Sequence, residues 1–430
     1  MADFVQLLKD NRNYRYTWMG QVVSEIGDHF NNIAVFSLAV KHADSGLVVT
    51  GVLLSRAIPV LLAGPLAGVL LDRMDRKRIM IVSDLVRAVV ALGFIYTVGA
   101  SSTGLLYLFS ALLMLASPFF TAGRASILPS IATREQLHTA NSLTQTTQWT
   151  TLTIGTMLGG ASVAQFGFAW AFFLNAMSFL FSAWAISRLR VPGGVFKAQR
   201  KSLTEADVMR PLHEYTEGLR YMRRNPLVMG IAVLGIGWAT GGGAAQILFS
   251  LFGEKVFHRG AAGIGVLWGF AGVGMLIGGF IAHRVGKTLS FEGYKRLVVV
   301  CYLLHGGAYV VFSQMKDFRM ACLFIAISRG SVAITSVLNF SQLLGHVSDE
   351  YRGRVFSTLE TLTWGMMMLS MTAAGFASQT YSPRTIAAWS GVVSSLTAFY
   401  WLTLDLKGRL PEPPRDGIDP KEVEVHESTA

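Results

Sequence analysis

The sequence predicts an all-α integral membrane protein of twelve transmembrane helices in two pseudo-symmetric six-helix halves. Three observations point there. Of 430 residues, 52% are hydrophobic and only 15% charged, with a mean hydropathy of +0.44, whereas soluble proteins carry about 25% charge. So little polar surface cannot cover a chain in water. Apolar runs long enough to wind across a hydrocarbon core of ~30 Å recur about twelve times. The two halves of the chain also repeat one another.

The first run, 14–40, follows a charged N-terminus, MADFVQLLKDNRNYRYTW, without a small-residue cleavage site, so no cleavable signal peptide is expected. Runs at 47–71, 79–99, 104–126, 139–164 and 167–190 complete an N-terminal half, 1–190. A polar linker, 191–226, opens on Pro192-Gly193-Gly194, a helix stop. It continues as an amphipathic helix with Leu212, Tyr215, Leu219 and Met222 on one face, expected to lie on the cytoplasmic membrane surface. Runs at 227–252, 262–285, 296–314, 318–345, 354–379 and 384–406 form the second half, 227–406. The remainder, 407–430, has the mixed charge of a disordered cytoplasmic tail. Cys301 and Cys322 lie inside apolar runs and define neither a disulfide framework nor a metal site.

Lysine and arginine concentrate on alternate connections, while "ASSTG" at 100–104 and "QFGFA" at 165–169 carry no charge. Cationic loops stay on the cytoplasmic side. Both termini are therefore expected in the cytoplasm of a multi-pass inner-membrane protein. The net charge of +11 is then a matter of topology, and no soluble basic face is left for nucleic acid. Between the halves, Gly68 answers to Gly279 and Arg73 to Arg284. Further on, Thr133 pairs with Ser348, Trp149 with Trp364 and Gly160 with Gly375. Thr133 and Gln136 fit a capping box, and Ser348 sits at the matching cap position. Duplicated six-helix halves describe a secondary transporter rocking about a central site.

Six charges fall between Asp72 and Arg78. The pattern Gly68-(x)3-Asp72-Arg73-(x)2-Arg76-Lys77 resembles the loop signature of the major facilitator superfamily, with Asp75 in place of the second glycine. The texture of "NRNYRYTWMGQVVSEIGDHF" and "DRMDRKRIMIVSDLVRA" is similar to the drug and siderophore exporter branch, which contains macrolide efflux and enterobactin export proteins. The resemblance covers about 14–406 and implies the major facilitator fold. It also implies a cytoplasmic latch around Gly68, Asp72, Arg73, Arg76 and Lys77. Gly68 is expected to admit a close neighbour, and Asp72 to pair with Arg76 or Arg87. The basic residues also serve topology, but acids contribute little to orientation, which singles out Asp72. Asp84 and Arg87, in the first turns of the third span, are expected to pair with this loop. Gly155, Gly159 and Gly160 resemble the end of the antiporter motif, with Thr156 where that motif has proline; small residues at this spacing also serve plain helix packing.

Charge inside a span is costly and marks cavities or partners. Gln21, Glu25, Asp28, His29 and Asn32 fall on one face of the first span at spacings of three and four. Glu25 and Asp28 are candidates for proton binding, since a carboxyl moved between water and a buried site exchanges a proton; the resemblance favours Asp28. His29 shares that duty or donates a hydrogen bond, and the alternative is a satisfied structural network. Arg56 and Arg329 either neutralise these acids or meet an anionic substrate. Glu360, unmatched by its repeat partner Gln145, either binds a cationic substrate or a proton, or bridges to Arg329 or Arg354. Trp149 and Trp364 are candidates to line the cavity.

No nucleophile elbow, zinc-binding helix or phosphate loop is present, which excludes common enzyme classes and drive by ATP. No cofactor or metal is expected. The expected partners are a small-molecule substrate, protons or Na⁺, and the bilayer, with the chain a monomer. The leading expectation is proton-coupled efflux of amphipathic molecules such as drugs or siderophores. The alternatives are nutrient uptake by symport, movement of a lipid-like solute, and uncoupled facilitation.

Overall fold

Caps and breakers divide the chain into helices. The computed structural model describes residues 2–42, 46–100, 102–190 and 205–412. Among them are fourteen α-helices, one π turn and no strand. They are α1 (Ala2–Asp10), α2 (Arg12–His42), α3 (Leu47–Arg73), α4 (Arg76–Ala100), α5 (Thr103–Ile131), α6 (Arg134–Phe166), α7 (Phe168–Ser187) and α8 (Glu205–Arg224). There follow α9 (Pro226–Leu251), the π turn (Phe252–Val256), α10 (Gly260–Val285), α11 (Phe291–Gln314), α12 (Phe318–His346), α13 (Asp349–Ala377) and α14 (Pro383–Leu406). Eight are long and apolar enough to cross a membrane: α3, α4, α5, α7, α9 with its π turn, α10, α11 and α12. The helices α2, α6, α13 and α14 match them in length but carry more polar side chains.

Residues 191–204 and 413–430, in the expected linker and tail, lie outside the described residues. The linker helix is present as α8. Its buried face holds Tyr221 and Met222, with Tyr221 stacked 5.0 Å from Tyr351 and Glu217 paired to Arg354 at 2.9 Å. It therefore rests on α13. The Leu212 side chain lies outside the described residues. The capping box at α6 is formed, with Gln136 N–H reaching Thr133 Oγ1 at 3.3 Å. Ser348 occupies the N-cap of α13, but its hydroxyl makes no capping bond.

Two compact units emerge. Among the described residues, the first contains α1 to α7 with the end of α9, the π turn and α10 up to Gly272. Here α2 packs against α6 and α7, α4 against α5 and α7, and α3 against α5. Aromatic rings fill the centre, with Phe94 stacked 5.1 Å from Phe172. The late segment joins this unit through small residues. A Cβ at Gly160 would sit 2.7 Å from the Ala261 carbonyl, and one at Gly269 would meet the Met157 side chain. Ser37 Oγ donates to Glu254 of the π turn. Such contacts let helix backbones approach closely.

The second unit holds α8, the earlier part of α9, α10 from Val273, and α11 to α14. Its core centres on Trp401, Tyr294 and Met222, all fully buried. Lys295 forms ion pairs with Asp405 at 2.6 Å and Glu292 at 2.7 Å. In α9, Ser370 of α13 engages one rung of the backbone ladder: its hydroxyl accepts from the Ala244 amide at 3.1 Å and donates to the Thr240 carbonyl. A side chain inserted this way is a known cause of helix bending. Gly241, Gly242 and Gly243 lie inside that rung.

Candidate functional site

The polar stripe of α2 lies against α6 in the first unit. Glu25, Asp28 and His29 line a cavity of about 350 Å³, closed on the other side by Gln145, Gln148, Trp149, Thr151 and Leu152. Five residues singled out in the sequence thus meet on one cavity. Gly155 and Gly159 explain how α6 comes so near: a Cβ at Gly155 would lie 2.9 Å from His29 Cδ2, and one at Gly159 would lie 3.0 Å from Phe30 Cα. Gly160 turns the other way, onto the α10 segment. Thr156, unlike a proline, retains its backbone N–H, and its hydroxyl bonds back to the Leu152 carbonyl at 2.7 Å; α6 runs unbroken from Arg134 to Phe166.

The two acids of the stripe differ in their surroundings. Glu25 accepts from Gln21 Nε2 at 2.8 Å and from Thr151 Oγ1 at 2.8 Å. Arg124 of α5 stands 3.8 Å away. Asp28 faces the cavity with Arg87, Arg56, Glu25 and Asp84 within electrostatic range. Among the described residues no hydrogen bond or ion pair reaches its carboxylate. One turn further on, Asn32 accepts from Arg56, whose guanidinium lies over the Phe36 ring at 5.4 Å. The Nε and Nη2 of Arg56 are buried with no hydrogen-bond partner.

Asp84 and Arg87 pair with each other, almost wholly buried, and Arg87 sits between Phe120 and Phe179 at 4.5 and 4.4 Å. The expected pairing with the loop is corrected. α4 already begins at Arg76, which places Asp84 about 12 Å along it at 1.5 Å per residue. The pair thus joins the charge cluster around Asp28, where Glu25, Asp28 and Asp84 are balanced by Arg56, Arg87 and Arg124. Buried charge persists where it is compensated. Arg124 and Thr151 escaped the sequence reading. An arginine near a span end reads as topology, and Thr151 is one of many hydroxyls on α6.

In the α3–α4 turn, Arg76 donates to the carbonyls of Leu71 and Ser126 at 3.3 and 2.8 Å. Lys77 Nζ donates to the Leu189 carbonyl at 2.9 Å. Asp75 accepts from the Lys77 amide at 3.0 Å, which makes it an N-cap of α4 and accounts for an acid where the signature has glycine. Arg73 is exposed, and the Asp72 side chain lies outside the described residues. At Gly68 a Cβ meets no atom within 4 Å among the described residues, so the close approach expected there is not made.

The remaining candidates belong to the second unit. Arg329 is buried, with the Tyr309 ring 6.0 Å away. Trp364 is 54% exposed. Glu360 is exposed where a buried charge was expected, and it makes no ion pair among the described residues. On α13, Val355, Thr358, Met367 and Met371 are buried, whereas Glu360, on the same helical face as Met367 and Met371, is exposed.

The profile of the Major Facilitator Superfamily matches residues 17–367. The enterobactin exporter EntS of Citrobacter koseri is 29% identical over 300 residues, covering 67% of this chain and 66% of its own. Macrolide efflux protein A of Streptococcus pyogenes is 25% identical over 373 residues, covering 82% and 85%. A bacterial homologue of the iron transporter ferroportin, solved in an inward-facing state, aligns with a TM-score of 0.68 at 16% identity over 91% of this chain and 98% of that one.

Proposed function

The chain belongs to the Major Facilitator Superfamily, and on that premise we propose that it is a twelve-span exporter of amphipathic small molecules, driven by proton antiport, with Asp28 as the coupling carboxylate. It is a multi-pass membrane transporter of small molecules and not an enzyme. Its efflux-type relatives support the direction of transport.

One observation carries the assignment to Asp28. Its carboxylate opens onto the cavity without a hydrogen-bond donor to hold its charge, while Glu25 is tied by Gln21 and Thr151. A group stabilised in its charged form by fixed donors releases and rebinds a proton less readily than one that depends on the contents of a cavity. Arg56 and Arg87 supply the positive field against which Asp28 works. Trp149 and Leu152 offer an apolar wall, and Gln145 and Gln148 adaptable hydrogen bonds, for a molecule with both characters. In this reading the α3–α4 turn, with Asp72 in it, latches the cytoplasmic side during the cycle.

The test uses everted vesicles energised to an acidic interior and followed with a pH-sensitive dye. Cationic dyes, macrolides and siderophores are added to wild type, Asp28→Asn and Glu25→Gln. A compound that collapses the gradient in wild type and in Glu25→Gln but not in Asp28→Asn supports the assignment. Equal responses in all three remove Asp28 from coupling, and compound-dependent uptake of labelled Na⁺ with the proton gradient intact makes sodium the coupling ion.

A further inference from the structure

We propose that a groove on the second unit, lined by none of the residues of the Asp28 cavity, is a seat for one acyl chain of a membrane phospholipid. The groove encloses about 680 Å³ between α13 and α14, with Thr240 and Ala244 of α9 as its floor. Ala373, Ala374 and Ala377 keep the α13 wall low, and Ile386 and Val393 form the wall on α14. Small residues on floor and wall leave room for a chain a few carbons wide.

The chemistry of the lining identifies hydrocarbon as the occupant. Beside the Tyr381 phenol, four hydroxyls border the groove, and each of these four is engaged within the protein. Ser370 is taken by Thr240 and Ala244, Thr240 donates to the Gly237 carbonyl at 2.6 Å, Ser390 donates to Ile386 at 2.8 Å, and Thr385 shares a bond of 2.9 Å with Ser382. A polar ligand would find no unspent donor on the floor, and desolvating its head there would cost free energy. The depth fits as well. From Met366 to Ala377 the α13 wall runs about 16 Å at 1.5 Å per residue, the depth of one leaflet in a hydrocarbon core of ~30 Å. A polar handle occurs at one end, where Tyr381 in the α13–α14 connection is 59% exposed, and Trp389, 66% exposed, follows farther along the α14 wall. Aromatic rings with a polar atom gather at that depth of a membrane. The seat thus takes a tail whose headgroup stays at the interface, and the tail lies directly over the rung of α9 that Ser370 engages.

The experiment reconstitutes the full chain in phosphatidylethanolamine–phosphatidylglycerol nanodiscs containing a phospholipid with a diazirine midway along one acyl chain. After irradiation, adducts are mapped by peptide mass spectrometry. Groove peptides of α13 and α14 are expected to carry about fivefold more adduct than those around Val89 and Val300, which are 69% and 58% exposed on other helices. Ala373→Trp fills the groove and should abolish the excess while leaving the Val89 signal in place. Adducts spread evenly over all exposed apolar faces overturn the proposal, and wild type alone decides this if the variant does not insert. Displacement of the label by compounds that collapse the proton gradient, but not by unlabelled phospholipid, also overturns it, since the groove would then receive the transported molecule. Neither result depends on whether Asp28 carries the proton.

Discussion

Glu25 holds its place through three unlike partners: an amide from its own helix, a hydroxyl from α6 and a guanidinium from α5. Glu25→Gln preserves the shape but removes the countercharge of Arg124. With Glu25 about one-fifth exposed and the ion pair long, the expected cost is about 1–2 kcal/mol, read as a lowered thermal midpoint in detergent. Thr151→Val should lower it by less, because the carboxylate keeps Gln21. At this scale the sequence was partly legible. Spacings of three and four placed Glu25, Asp28 and His29 on one face, and Gln145 and Trp149 proved to face them. Arg124 was hidden because cation position along a span reports topology as readily as chemistry. Glu360 is exposed although Met367 and Met371 on its own face are buried, because burial changes along a long helix as its neighbours change, which periodicity alone does not report.

Each apolar run expected from the sequence coincides with one helix, and most of the helices begin before their run does. α6 starts at Arg134, before the run at 139–164, because Thr133 and Gln136 close its first turn. A helix propagates until a cap or breaker ends it, whereas an apolar run ends at the first polar residue. What no run length reveals is the interior of α9, where Ser370 bonds to Thr240 and Ala244. Ser370→Ala should be nearly neutral, within about 1 kcal/mol, because the Ala244 amide then closes onto the Thr240 carbonyl by itself. Ser370→Leu, which forces a larger side chain against the glycine run, should cost about 1–3 kcal/mol. Thermal unfolding of both variants checks this; equal losses would show that the α9 rung does not close without the hydroxyl.

For the whole molecule, the charge pattern makes an orientation testable. Cys301 and Cys322 are both buried, so a cysteine introduced at the surface reports its own side of the membrane. In right-side-out vesicles, Lys316→Cys should react at once with an impermeant maleimide, and Lys407→Cys only after permeabilisation. The opposite pattern would invert the topology read from lysine and arginine. The expectation of a repeat between the halves rests on sequence pairs such as Gly68 with Gly279 and Trp149 with Trp364. The membership of 249–272 in the first unit was not, because it depends on glycine contacts such as Gly269 with Met157 that leave no periodic trace.

That membership has a consequence for dissection of the gene product. A polypeptide ending near residue 201 lacks the 249–272 insert that completes its own unit, and it should be a poor orphan: weakly inserted and quickly degraded. Supplied in trans, a second polypeptide beginning at residue 205 carries the missing piece. The two should rescue each other by fragment complementation and co-purify without any covalent link. Deleting 249–272 from the second fragment should end the rescue.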